Sequence, residues 1–371
     1  MIAASALPAS ARAMVLREPG VLVPEEFPLP DIGVNDGLLS VEVCGLCGTD
    51  YEQFDGKVSH NDYYTPIPSI PGHEPLGRIA AIGRKASDRW GVTVGDRVAV
   101  RSSYGCGNCE ACSKYDPARC ITRGGTYGLT HVEKYPFLWG AFSDFMYLHP
   151  LTVVEKINPD ISPELAVMFN PLASGISWAS SIPETGPGDS VVIMGPGQRG
   201  LCSLVAARSA GASKIIVTGL AKDRHKLDLA CALGADHVLI VDDCNLVEEI
   251  REITGGGATV VVDTTPFFAG ALRQAVAMCA QRGRIVLAGL KGSGVAAEIV
   301  PDEIVYKEIS VRGVLSMPVA DFRRACRLIE SCEYPIERLH THSFPLNEAQ
   351  QAIETLAGRT DEKAIHVALF P

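Results

Sequence analysis

Residues 191–200 read VVIMGPGQRG, an apolar β-forming run that leads straight into G-x-G-x-x-G. Glycine spacing alone is a weak signal, but at a junction between strand and helix it has a mechanism. Gly195 turns the chain, Gly197 lets backbone approach a pyrophosphate, and Gly200 lets the following helix close on the strand. Gln198 and Arg199 complete the loop and count with it as candidate cofactor-binding residues. A helix is expected over 198–210, with Leu201, Leu204 and Val205 on one face. The alternation then continues, with strands expected at 214–219, 237–241, 259–265 and 284–290 and helices at 223–233, 246–254 and 269–281. Such a pattern predicts an α/β, doubly wound parallel sheet with a dinucleotide over the carboxyl ends of its strands.

At 371 residues the chain is long enough for a second domain. Residues 14–165 are rich in Gly and Pro and in short β-type runs, at 38–44, 77–82, 96–100 and 145–148, which predicts an irregular β-rich domain. The final segment holds two helical patterns (319–332 and 346–356) and a last strand (364–369) that do not extend the dinucleotide alternation. It is assigned to the first domain, giving boundaries of 1–168 with 316–371 and 169–315, and leaving a cleft between the two. A formal charge of −10 and the lack of any Lys/Arg run exclude a nucleic-acid partner. No apolar run approaches the roughly 20 residues of a membrane span. Residues 1–13 lack the pattern of a signal peptide and read as a short flexible extension.

The chemistry concentrates in the β-rich part. Residues 43–50 read VCGLCGTD, and PGHE follows at 71–74. The thiolate of Cys47, the imidazole of His73 and the carboxylate of Glu74 form a donor mixture that zinc accepts, and Thr49 and Asp50 place a hydroxyl and an acid beside it. Cys44 and Cys47 also have the spacing of a redox pair. His73 and Glu74 are expected on a tight turn between strands. Further on, Cys106, Cys109, Cys112 and Cys120 form a C-x2-C-x2-C-x7-C run. Four thiolates make a closed tetrahedral site, so this second zinc is expected to be structural. An iron–sulfur cluster would use other spacings. Of twelve cysteines, six lie between Cys44 and Cys120, and such clustering favours metal in a reducing cytoplasm over disulfides.

With these three motifs in this order, the chain resembles the zinc-dependent medium-chain alcohol dehydrogenases, in their polyol (sorbitol-dehydrogenase-like) branch, from about residue 12 to its end. The resemblance implies a GroES-like catalytic domain, a Rossmann domain, two zinc ions per chain (catalytic and structural), and reversible hydride transfer between an alcohol and NAD or NADP. It places Cys47 and His73 on catalytic zinc ligands and Glu74 on the carboxylate that ligates zinc in the polyol branch. Thr49 falls on the proton-relay hydroxyl, and Asp50 on the acid behind the ligands. It also implies a homodimer or homotetramer.

The sequence departs from the family pattern in three places. Asn170 stands where a further Cys or Glu ligand is usual, and is expected to hydrogen-bond the water or alcohol on the ion. Glu52 stands where the relay often ends in a His. The acid expected after the second strand of the dinucleotide fold is missing. Thr218, Gly219 and Leu220 occupy that place, with Lys222, Asp223, Arg224 and His225 just beyond. A 2′-phosphate would meet cations here and a ribose hydroxyl would meet Thr218, so NAD and NADP both stay open. Tyr51, Phe54, Trp139 and Phe169 are candidates for a pocket suited to a bulky secondary alcohol, although aromatics more often fill cores. A metal-free quinone or enoyl reductase of the same superfamily, or a non-catalytic cofactor-binding relative, is the alternative.

Overall fold

The computed structural model describes residues 7–57, 59–60, 63–64, 67–114, 120 and 124–371. The chain divides into two compact units. The first comprises Met1–Asn170, Cys326–Ser331 and His340–Pro371, and the second Pro171–Ala325 and Cys332–Leu339.

The first unit is built on a seven-stranded sheet. Across it run Val154–Lys156, Arg97–Val100, Glu74–Ile82, Gly37–Gly45, His366–Phe370 and His340–Pro345, while Phe145–Leu148 pairs with the early half of Gly37–Gly45. All neighbours are antiparallel except the last two strands, which run parallel. The C-terminal strand therefore lies directly beside Gly37–Gly45, the strand that delivers Cys47. Alternation buries Leu39, Val41, Ile79, Val98, Val367 and Leu369 in one core with Phe142 and Met146. Removing that apolar area from water is the main stabilising term.

The expectation of a flexible start fails at residues 10–13. Ser10–Glu18 is a strand paired with Val21–Pro28, and Ala11 and Ala13 are buried. Residues 1–6 of that expected extension lie outside the described residues. Glu74 is already the first residue of a strand, and the turn expected there is made by Gly72 at φ +92. A Cβ on Gly72 would meet the Phe142 ring at 2.5 Å, so only glycine fits.

The second unit is a six-stranded, all-parallel sheet in the order His237–Ile240, Lys214–Gly219, Ser190–Met194, Ala258–Asp263, Cys279–Leu287, Ser310–Gly313. Its crossover helices include Gln198–Ser209, Arg224–Ala232, Leu246–Thr254 and Ala271–Met278. The doubly wound topology agrees with the alternation in the sequence. The central strands are apolar on both faces, as a parallel sheet covered by helices requires. Two further elements, helix Pro301–Lys307 and the exposed edge strand Ser310–Gly313, complete the sheet.

Candidate metal centres and cofactor loop

Cys47 caps a short helix, Gly48–Phe54, in extended conformation. Its backbone N–H donates to Asp50 Oδ2 at 2.8 Å, and the Asp50 N–H donates back to the Cys47 carbonyl at 3.1 Å. This reciprocal cap fixes Asp50 one turn beyond the sulfur. His73 enters the same place from the start of the neighbouring strand. Its Nε2 lies 3.0 Å from Cys47 Sγ, while its Nδ1 lies 3.3 Å from Asp50 Oδ1. The imidazole is thus clasped between sulfur and carboxylate, and all three residues are buried. Ligand atoms of Cys47, Asp50 and His73 lie within 4.8 Å of one another.

Burial alone would push the His73 pKa down, but the charges of Cys47 and Asp50 win and hold it well above its usual value. An environment that retains a proton so strongly is one that favours a cation. A buried thiolate and an imidazole whose other nitrogen is backed by a carboxylate are the donor set and support that zinc uses. The residues present fit the ion.

Cys44 is a different matter. Burial raises its pKa well above the ordinary value, and its S–H donates to the Gly45 carbonyl at 3.4 Å. It behaves as a packed core thiol, and no disulfide links any described cysteines.

Glu74 is also fully buried, but it is not among the three residues whose ligand atoms gather. It stands opposite Gly45 across the strand pair, and a Cβ on Gly45 would lie 2.8 Å from Glu74 Oε2. Thr49 and Glu52 are half-buried on the same helix as Asp50, and Asn170 is buried at the start of helix Phe169–Ile176. Phe54 and Trp139 belong to the hydrophobic core, against which Tyr51 packs, and Phe169 is buried.

In the cysteine lobe, Cys106, Cys109, Cys112 and Cys120 converge, again within 4.8 Å. Cys106 to Cys112 and Cys109 to Cys120 are each 3.9 Å between sulfurs. A tetrahedron with zinc–sulfur bonds of about 2.3 Å has edges of about 3.8 Å, far longer than a disulfide. Backbone N–H groups of Cys109, Cys112, Cys106 and Gly124 donate to the sulfurs at 3.1–3.5 Å, as thiolates prefer. Burial and the neighbouring Cys109 and Cys120 sulfurs push the Cys112 thiol up to about 11, so four thiolates need a cation among them.

In the second unit, Gly195 has φ +96, and a Cβ on Gly200 would lie 2.0 Å from the Gly195 carbonyl oxygen. Both glycines are therefore obligatory for this turn. Gly197 caps helix Gln198–Ser209 with open space above it, where an anionic group can reach the free N–H groups of the first turn. Gln198 is buried, and the Arg199 guanidinium lies over the Trp178 ring at 5.6 Å. Thr218 is buried and its carbonyl accepts from the Gly195 N–H at 3.0 Å. A side chain at Gly219 would meet Pro196 at 2.8 Å, so no carboxylate fits there. Lys222 and Arg224 are exposed. Asp223 is occupied locally, pairing with Lys226 at 3.0 Å and accepting from the Leu220 N–H at 3.4 Å. Sequence reasoning missed Asp242, from the end of the adjacent strand, whose carboxylate accepts from the Ala221 N–H at 3.0 Å.

A thiolate–imidazole centre, a four-cysteine lobe and a glycine-loop parallel sheet in one chain define a zinc-binding, dinucleotide-linked dehydrogenase. Comparison with known proteins agrees. The alcohol dehydrogenase GroES-like domain matches residues 33–158, and the zinc-binding dehydrogenase domain matches residues 200–331. A probable alcohol dehydrogenase of Mycobacterium tuberculosis is 42% identical over 97% of this chain and 98% of its own. An erythritol/L-threitol dehydrogenase of Mycolicibacterium smegmatis is 28% identical, over 98% of this chain and 99% of its own. The crystal structure of an alcohol dehydrogenase from Thermotoga maritima superposes with a TM-score of 0.85 at 29% identity, covering 98% of this chain and 99% of that one. The chain belongs to the zinc-dependent medium-chain alcohol dehydrogenase family. It is an oxidoreductase whose cofactors are zinc and NAD(P).

Proposed function

We propose that this enzyme oxidises secondary alcohols, small polyols among them, at a zinc held by Cys47 and His73, with Asp50 behind the imidazole. The supporting observation is the geometry of His73, one nitrogen on sulfur and the other on a carboxylate. Bound zinc lowers the pKa of a coordinated hydroxyl and polarises a carbonyl in the reverse direction. Asp50 orients the ring and raises its basicity. Thr49 passes the substrate proton outward, Glu52 accepts it, and Asn170 hydrogen-bonds the substrate oxygen. Glu74, a third candidate ligand from the polyol-branch pattern, is buried at the next position along the chain.

Gly195, Gly197, Gln198, Arg199 and Gly200 cradle the pyrophosphate. Thr218, Gly219, Lys222 and Arg224 meet the adenosine ribose. The four lobe cysteines hold the structural zinc. Residues 1–168 with 316–371 form the catalytic domain and 169–315 the cofactor domain. The enzyme works as a homodimer or homotetramer in the cytoplasm, where twelve unbridged cysteines remain reduced. Among the described residues no helix is long and apolar enough to cross a membrane.

The polyol preference draws support from the erythritol/L-threitol dehydrogenase likeness. A panel of primary alcohols, secondary alcohols and tetritols, read by reduced-cofactor absorbance with each dinucleotide, tests it. Secondary and polyol substrates should give the highest kcat/KM. A clear preference for primary alcohols refutes the assignment.

A further inference from the structure

The chain carries no acid at Gly219, yet a carboxylate reaches that loop from the next strand. Gly219 is closed to any side chain, because a Cβ there would meet Pro196 of the glycine loop at 2.8 Å. The same contact sets residues 218–221 against the loop that takes the pyrophosphate, where a doubly wound fold receives the adenosine ribose. Gly219 and Ile240 are register partners in the parallel sheet, and the Val241 N–H donates to the Gly219 carbonyl at 2.9 Å. Two residues beyond each partner, the Ala221 N–H donates to Asp242 Oδ2 at 3.0 Å. The N–H before it, of Leu220, donates to Asp223 Oδ2 at 3.4 Å. Both backbone donors that follow Gly219 are therefore already occupied by carboxylates.

The two acids differ in what balances them. Asp223 is half-buried and paired with Lys226 at 3.0 Å. Asp242 is exposed and makes no ion pair among the described residues, so its charge is uncompensated by a close cation. Lys222 and Arg224 are exposed as well, on long side chains whose ordering costs entropy, whereas Asp242 is short and tied to backbone. A ribose 2′-hydroxyl donates to a carboxylate. A 2′-phosphate brings only acceptors and a charge of about −1.5 to −2 at neutral pH. We infer that Asp242 supplies from the third strand the acid missing from the second, and so makes the enzyme select NAD over NADP. This inference rests on the proposed placement of the adenosine ribose at Thr218, Gly219, Lys222 and Arg224.

Calorimetric titration of the zinc-loaded protein with NADH and NADPH, in the absence of alcohol, tests it without reference to turnover. Wild-type protein should bind NADH about 100-fold more tightly than NADPH, as a like-charge juxtaposition dictates. Asp242→Asn keeps the shape and an acceptor but removes the charge. It should narrow that ratio by about tenfold or more through a gain in NADPH affinity, with NADH affinity held within about threefold. Asp242→Glu keeps the charge and should keep the preference. Asp243→Asn, at the exposed acid next along the chain, should leave the ratio unchanged and so separates a local effect from net charge. Adenosine 2′,5′-bisphosphate against 5′-AMP should repeat the pattern, since the discrimination lies at the ribose. Wild-type protein that binds NADPH as tightly as NADH overturns the inference. So does an Asp242→Asn variant with the wild-type ratio, an Asp243→Asn variant that narrows it equally, or adenosine nucleotides bound without discrimination. Wild-type protein that binds neither dinucleotide refutes the proposed cofactor loop itself, and the inference with it.

Discussion

His73 carries the most chemistry per atom in this chain, because each of its nitrogens already has an anionic neighbour. Cys47→Ser or His73→Ala should lower kcat/KM by about 10³-fold or more, equal to about 4 kcal/mol of transition-state stabilisation, while fluorescence titration shows cofactor affinity unchanged. Asp50→Asn keeps the shape but removes the charge behind the ring. It should weaken metal retention against a chelator by about 10- to 100-fold. His149 supplies a separate pH test. It stacks on Tyr104 at 4.2 Å, its Nδ1 accepts the Leu151 N–H at 3.2 Å, and burial followed by repulsion from Lys134 lowers its pKa to about 4. The unfolded chain protonates this residue first, near pH 6.5. Stability is therefore full above about pH 6.5 and falls as pH drops toward about 4, by up to about 1.4 kcal/mol per unit. His149→Asn keeps the acceptor and should flatten the change in urea midpoint between about pH 6.5 and 4. An equally steep variant contradicts this assignment.

At the scale of elements, the two glycine-dependent loops differ in what they can tolerate. Gly200→Ala drives a methyl into the Gly195 carbonyl, 2.0 Å away. It should cost about 1–3 kcal/mol in urea denaturation and weaken cofactor binding together, as overpacking a turn does. In the lobe, Cys112→Ser should remove about one zinc per chain while cofactor binding persists, as metal analysis beside the same titration will show. The elements were unequally legible for physical reasons. Buried parallel strands such as Ser190–Met194 are continuous apolar runs and stand out. The edge strand Ser310–Gly313 is four residues long and exposed throughout, so no hydrophobic pattern marks it. Strand His340–Pro345 reads HTHSFP, polar by composition, and only its pairing with His366–Phe370 makes it a strand. The π-helical turn Ser177–Ser181 likewise has no signal of its own.

For the whole molecule, motif order carried the reading further than any single motif. The cysteine run and the glycine loop each specify a local geometry through residue type and spacing, which is why both were visible in the sequence. Side chains that meet across strands far apart in sequence were not. Glu74 sits next to His73 in sequence, yet one of its carboxylate oxygens stands against Gly45, and only the strand register reveals that. Asp242 reaches the loop after Thr218 from a different strand for the same reason. The central claim is a catalytic ion on Cys47 and His73, separate from the ion in the lobe. Zinc content of wild-type protein and of Cys47→Ser, purified side by side, tests it most directly. About two zinc per chain should fall to about one with activity lost; equal zinc in the two proteins would contradict it.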